Sequence, residues 1–304
     1  MGVETLAFGR MTWINIEKPI PQDMDYLRQN YPFHPLDLED CLSRVERPKM
    51  DEYPAYLFIV MQFPTYDDFR NVSRPSQVSF FIGTGFLITV HDGSLWPIAK
   101  LFDDCQKDGE ICQKHMGGGA SRLLHDVMDR LVDYCFPLLY KVDASIRELE
   151  ESVFTESAPD VVREISWVRR DVIGLQRIVK PQIDIVANLE RVDRPFIREE
   201  LDVYFGDVLD HLYKALDTLE DHRDMIEGLN DTANTLTSYR LNMVMKTLTV
   251  ISVIIMPLTL LSGIYGMNIA LPFDEHPSAF FIVVFLMLLV AGGMLLWFRR
   301  RRWL

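Results

Sequence analysis

From Thr247 to Trp297 the chain carries only two formal charges, Asp274 and Glu275, whereas charge is dense up to Lys246. So abrupt a change marks a passage from water into lipid. Leu248 to Ile264 is an uncharged run of seventeen residues. With Met243 to Met245 it reaches the roughly 20 residues needed to cross a bilayer. Ala279 to Phe298 is a second uncharged run of spanning length, ending in Trp297, Arg299, Arg300, Arg301, Arg302 and Trp303. Aromatic residues and a basic cluster at a span's end place that end in the cytoplasm. Two spans then return the N-terminal bulk to the same side, where Arg240 and Lys246 flank the first span. The expectation is an inner (plasma) membrane protein with both termini cytoplasmic.

The two spans differ in kind. The second is uniformly apolar and reads as an anchor. The first carries Asn242, Met245, Leu248 or Thr249, Ser252, Met256, Thr259 and Gly263 at steps of three or four, one face of a helix. Polar and small residues on one face of a membrane helix either pack against other helices or line water. One such face makes a pore only when several copies surround an axis, so a channel implies a cyclic homo-oligomer. Pro257 removes one backbone hydrogen bond within this span.

The net charge of −13 over 304 residues argues against nucleic acid, whose phosphates call for net Lys and Arg, and favours cations as partners. Cys41, Cys105, Cys112 and Cys135 form no C-x-x-C pair and fit no zinc module, so they read as reduced, buried thiols. The N-terminus lacks the pattern of a secretory signal peptide, and Leu6 breaks a myristoylation-like start at Gly2. H-E-x-x-H, G-x-S-x-G and Walker sequences are absent, and an enzyme is not expected.

The soluble part begins as mixed α/β. Tyr56 to Gln62, Val78 to Ile82 and Phe86 to Val90 have strand composition, and Pro35 to Leu42 reads as a short helix. Gly117-Gly118-Gly119 reads as a flexible joint. Beyond it, helices are expected over Ser121–Thr155 and Asp160–Glu190, the second bent at Pro181. Arg194-Pro195 opens a third that nothing stops before the membrane, about 70 residues and on the order of 100 Å at 1.5 Å per residue. Its apolar residues, Leu201 to Leu236, recur every three or four with one gap near His222. Between Glu199 and Asp231 eleven acids face only Lys214 and Arg223, a repulsion that bound cations would relieve. The expected division is a cytoplasmic α/β domain over 1–118, a helical hairpin over 119–194, a stalk helix over 195–246, a first transmembrane helix over 247–266, an extracytoplasmic loop over 267–278, a second transmembrane helix over 279–298 and a basic tail over 299–304.

The first span ends in Tyr265-Gly266-Met267-Asn268. Between two C-terminal spans, that string resembles the mark of the CorA family of magnesium and cobalt channels. Met245-Lys246 and Ile255-Met256-Pro257-Leu258-Thr259 look like the family's pore helix. His34-Pro35-Leu36, Leu38-Glu39-Asp40 and Arg47-Pro48-Lys49 look like its N-terminal domain. The resemblance covers nearly the whole chain. It implies an α+β cytoplasmic domain of α/β/α type, a long stalk helix and two transmembrane helices, assembled as a funnel-shaped homopentamer that moves Mg2+, with Co2+ also carried. Gly266, Met267 and Asn268 would form the selectivity filter, with Asn268 an outer ring of amide oxygens that accepts the ion's water shell. Gly266 would let the backbone turn. Asn242, Met245, Leu248, Ser252, Met256 and Thr259 would line the pore. Carried over in the same way, Asp40 and a neighbour's Asp207 would share a regulatory Mg2+, with Glu39, Asp129, Asp133 and Asp210 nearby, closing the funnel when cytosolic Mg2+ is high. One departure concerns selectivity. Family members often follow the Asn with Met-Pro-Glu-Leu, whereas this chain reads Ile269-Ala270-Leu271-Pro272-Phe273-Asp274-Glu275-His276. The zinc-transporting, ZntB-like branch also departs there, so a Zn2+ transporter, proton-coupled or not, is the alternative.

Overall fold

The computed structural model describes residues 2–43, 45–67, 72–155, 158–191, 196–197, 201–267 and 278–303. The chain divides into two compact units, Met1–Asn230 and Asp231–Leu304.

The first unit is built on a six-stranded sheet. Its strands are β1 (Val3–Phe8), β2 (Met11–Glu17), β3 (Lys49–Glu52), β4 (Tyr56–Asp67), β5 (Val72–Gly83) and β6 (Phe86–His91), in the order β1-β2-β6-β5-β4-β3. Every pairing is antiparallel except β2 with β6. That parallel pair needs a long crossover, and α1 (Pro21–Asn30), α2 (Pro35–Asp40) and β3 to β5 lie within it. Both faces of the sheet are covered, so Tyr56 to Phe63 is buried without alternation. On one face α1 and α2 close a core of Ile14, Ile16, Met24, Leu27, Phe33, Leu38, Tyr56, Phe58, Phe81 and Ile88. The other face packs against α5 (Ala120–Asp133), α6 (Cys135–Thr155) and α7 (Ala158–Arg191), giving three layers, α/β/α. Two further helices, α3 (Trp96–Lys107) and α4 (Gly109–Met116), lead into α5. All four cysteines are free and buried.

Local expectations change at several points. Gly117-Gly118-Gly119 is a closed turn instead of a loose joint. Gly117 N–H bonds Gln113 O at 2.9 Å, Gly119 N–H bonds Met116 O at 3.0 Å, and Gly119 has φ +89°. Glycine is required there for the left-handed backbone. The single helix expected over Ser121–Thr155 is two, interrupted at Tyr134. Pro137 explains the break, because it has no N–H for the carbonyl of Asp133 four residues back. The expected stalk start at Pro195 lies outside the described residues; Phe196 and Ile197 just after it are not helical, and α8 runs Asp202–Tyr265. Its apolar stripe has no gap, for His222 fills it, only 4% exposed, with Nε2 3.7 Å from Asp143 Oδ1. Asp207, Asp210, Asp217, Glu220, Asp221, Asp224 and Glu227 lie on its exposed side. The helix continues through Pro257, and α9 spans Ala279–Arg300. Helices α8 and α9 each contain a stretch long and apolar enough to cross a membrane.

Candidate metal cluster and membrane helices

Helices α5 and α8 present two pairs of possible metal-binding side chains at four-residue spacing, Asp129 with Asp133 and Asp207 with His211. Residues four apart share a helix face. Ligand atoms of Asp129, Asp133 and His211 lie within 4.8 Å of one another. Aromatic contacts just upstream set this register. His125 packs edge-on against Tyr204 and Phe205 at 5.5 and 5.7 Å, and the Arg122 guanidinium sits 4.9 Å over the Tyr204 ring. Beneath them buried Asp126 binds His115 Nδ1 at 2.6 Å, His125 Nδ1 at 3.0 Å and Arg122 Nε at 3.0 Å. Burial opposes the Asp126 charge, but these donors outweigh it and hold its carboxyl below the usual range. At Asp129 the balance tips the other way. Burial first, then the Asp133 carboxylate, raises its pKa, with Asp207 adding to the rise and His125 and His211 opposing it. His211 Nδ1 is buried and, among the described residues, makes no hydrogen bond. Two carboxylates beside an imidazole are a donor set that fits a divalent ion.

Asp40 lies elsewhere in the same chain, at the end of α2. Its carboxylate meets Lys49 Nζ at 2.7 Å, and Lys49 also binds Asp51 at 2.8 Å. Burial opposes the Lys49 charge, but both carboxylates outweigh it and raise its pKa. Glu39 beside it is exposed. The segment is fixed from below. His34 caps α2 by accepting Leu36 N–H at 3.3 Å, Pro35 opens the helix, and buried Asp37 accepts from Tyr56 OH at 2.7 Å and Tyr53 OH at 3.1 Å. Tyr56 OH in turn accepts His34 N–H at 2.8 Å. Gln77 Nε2 donates to Asp40 O at 3.0 Å.

Along the membrane part of α8, Asn242, Met245, Leu248, Ser252, Met256 and Thr259 are all exposed. At ~100° per residue they fall within an arc of about 120°. The shielded face is different: Lys246, Val250, Ile254, Pro257 and Leu261 recur on the opposite side. In α9 the shielded positions are Val283, Met287, Val290, Ala291, Met294 and Phe298. Thr249 and Thr259 turn their hydroxyls back to Met245 O and Ile255 O at 2.7 and 3.0 Å, so their polarity is satisfied within the helix. Gly266 follows the last turn, its N–H on Ser262 O at 2.9 Å. It is not among the glycines with positive φ, and a Cβ there would lie 3.1 Å from Ser262 O, so room rather than conformational freedom favours glycine. Met267 is exposed. Asn268 and the loop acids Asp274 and Glu275 lie outside the described residues.

A family model described as CorA-like Mg2+ transporter protein matches residues 8–300. The chain belongs to the CorA-like family. It is 35% identical over 263 residues to the cobalt/magnesium transport protein CorA of Thermotoga maritima, covering 84% of this chain and 73% of that one. It is 21% identical over 261 residues to the zinc transport protein ZntB of Yersinia pseudotuberculosis, covering 84% and 76%. Among solved structures, the complete CorA magnesium transporter from Methanocaldococcus jannaschii superposes with a TM-score of 0.87 at 21% identity, over 98% of this chain and 94% of that one. The soluble α/β domain, the long α8 and two candidate transmembrane helices are therefore those of a CorA-like divalent-metal transporter.

Of the six acids expected at the cation site, one chain brings Asp129 and Asp133 together, with Asp207 close enough to raise Asp129, and leaves Asp40 and Glu39 apart from them. Asp210 is exposed. His211 was not expected. The four-residue spacing Asp207 to His211, matching Asp129 to Asp133, is the signal in the sequence that points to it.

Proposed function

We propose that this CorA-like chain assembles as a homopentamer in the plasma membrane, both termini in the cytoplasm, and conducts Mg2+, with Co2+ as a second substrate. The observation that carries the reading is the arc of α8 that gathers its polar residues on one face. It keeps Asn242, Ser252 and Thr259 on a face that the shielded side of the helix does not use. Five such arcs around an axis would line a pore, with Met245, Leu248 and Met256 as apolar constrictions able to close by dewetting. Asn268 would ring the outer mouth beside Gly266 and Met267. The driving force is the membrane potential, about 2.3 kcal/mol per charge per 100 mV. Regulatory cations would bind between Asp40 of one subunit and Asp207 of the next, with Glu39, Asp129, Asp133 and Asp210 around them, and hold the channel shut when cytosolic Mg2+ is high.

One observation favours a second reading. An imidazole among the carboxylates suits Co2+ or Zn2+ better than Mg2+, and ZntB is a named zinc transporter at 21% identity. Uptake of Mg2+ and of Zn2+ into vesicles, with and without a pH gradient, separates the readings. Potential-driven Mg2+ uptake independent of the gradient supports the channel. Zn2+ uptake that requires the gradient supports the carrier.

A further inference from the structure

The C-terminus of α9 is closed by a folded cap instead of fraying. Arg302 has φ +57°, a left-handed backbone usually left to glycine. Trp303 N–H reaches back to Phe298 O at 3.0 Å and Arg302 N–H to Arg299 O at 3.1 Å. These are the two bonds of a Schellman cap, and its apolar contact is present: the Trp303 and Phe298 rings lie 5.7 Å apart. Lys246 of α8 locks the cap, donating to Arg302 O at 2.8 Å with its ammonium 5.9 Å over the Trp303 ring. The Arg301 guanidinium stands 5.7 Å over exposed Trp297. Among the described residues no carboxylate pairs with Arg299, Arg300, Arg301 or Arg302, and all four are exposed. A cationic collar is thus fixed in shape between two tryptophans at the end of a membrane helix.

We infer that this collar is a binding site for anionic phospholipid headgroups. Phosphates are the bidentate partners that guanidinium groups fit, and tryptophan rings prefer the headgroup level. A soluble acidic partner would not match Trp297 and Trp303, which need an apolar neighbour on one side. The cap restricts how the arginines move, so less freedom is lost when they bind. The inference rests on α9 spanning the bilayer and not on which ion is carried.

The test is tryptophan quenching in the reconstituted full-length protein, with brominated phosphatidylglycerol against brominated phosphatidylcholine. The anionic lipid should be favoured about fivefold, since one basic residue near a charged surface supplies that much. The preference should disappear in R299Q/R300Q/R301Q/R302Q and persist when the same four become lysine. The lipid-dependent signal should vanish in W297F/W303F. If the glutamine variant does not assemble, wild type alone decides: at 1 M salt, where screening falls to about 3 Å, the preference should collapse. Equal quenching by both lipids overturns the inference, as does a preference unchanged in the glutamine variant or at high salt. Loss of the preference on adding millimolar inorganic phosphate also overturns it, because the site would then take free phosphate instead of a membrane.

Discussion

His211 Nδ1 stands 3.7 Å from Asp133 Oδ1, too far for a hydrogen bond, and among the described residues that buried nitrogen has no hydrogen-bond partner. The pair comes from α8 and α5, so an ion held between them ties the long helix to the body of the soluble unit. Co2+ should therefore raise the protein's melting temperature. His211→Ala should weaken that stabilisation by about tenfold in Co2+ affinity, about 1.4 kcal/mol. Thermal unfolding across a Co2+ titration measures it. An unchanged titration in His211→Ala would remove this residue from the site.

Tyr56→Phe is predicted to cost about 1–3 kcal/mol, because Asp37 is buried and loses its shortest hydrogen bond while His34 N–H loses its acceptor. Burial already raises the Asp37 pKa above the carboxylate range. Chemical denaturation should show the loss. Because Asp37 holds α2, which carries Asp40, the same variant should also weaken regulation by Mg2+ without changing maximal flux.

The buried His91 makes stability fall in acid. Gly93 N–H donates to its Nδ1 at 3.1 Å, so Nε2 carries the proton and meets Asn15 Oδ1, also at 3.1 Å. A second proton on Nδ1 would point at an N–H. Burial accordingly lowers the pKa from 6.5 to about 4, against the raising effects of Glu17 and Asp92. The unfolded chain takes up a proton near pH 6.5 that the folded chain refuses until about pH 4. Stability is full above pH 6.5 and declines as pH falls through that window, by up to about 3 kcal/mol. Melting temperatures between pH 7 and pH 4.5 should drop more steeply in wild type than in His91→Gln. Equal slopes would show that His91 does not set the acid response.

His222→Leu should stabilise the fold by about 1 kcal/mol. Its Nδ1 is buried and finds no hydrogen-bond partner among the described residues, and burial lowers its pKa although Asp143 and Asp221 oppose that. An apolar side chain of similar size removes that cost. Asp143 keeps Arg147 as a partner at 2.9 Å. A loss of stability in denaturant would mean that the imidazole makes a bond that this geometry lacks.

The membrane helices were legible as long uncharged runs, the apolar side of α8 by its helical period, and the core strands β4 to β6 by β-branched and aromatic content between Pro, Gly and Asp. Strands β1 to β3 were not. Val3–Phe8 and Lys49–Glu52 are short edge strands with exposed positions, so their pattern is weak. The break at Tyr134 was legible in principle at Pro137, but the helical pattern on either side masked it. Acids at the candidate site were found one by one, through a family resemblance. Their grouping depends on how α5 meets α8, which Arg122, His125, Tyr204 and Phe205 decide through contacts 79 or more residues apart in sequence, a distance no local pattern spans.

The central claim is that this chain conducts Mg2+ past Asn268. Mg2+ uptake into proteoliposomes under an inside-negative potential, comparing wild type with Asn268→Ala, tests it most directly. The prediction is rapid uptake by wild type and near-complete loss in Asn268→Ala, with both eluting as the same oligomer. Equal uptake by the two proteins would contradict it.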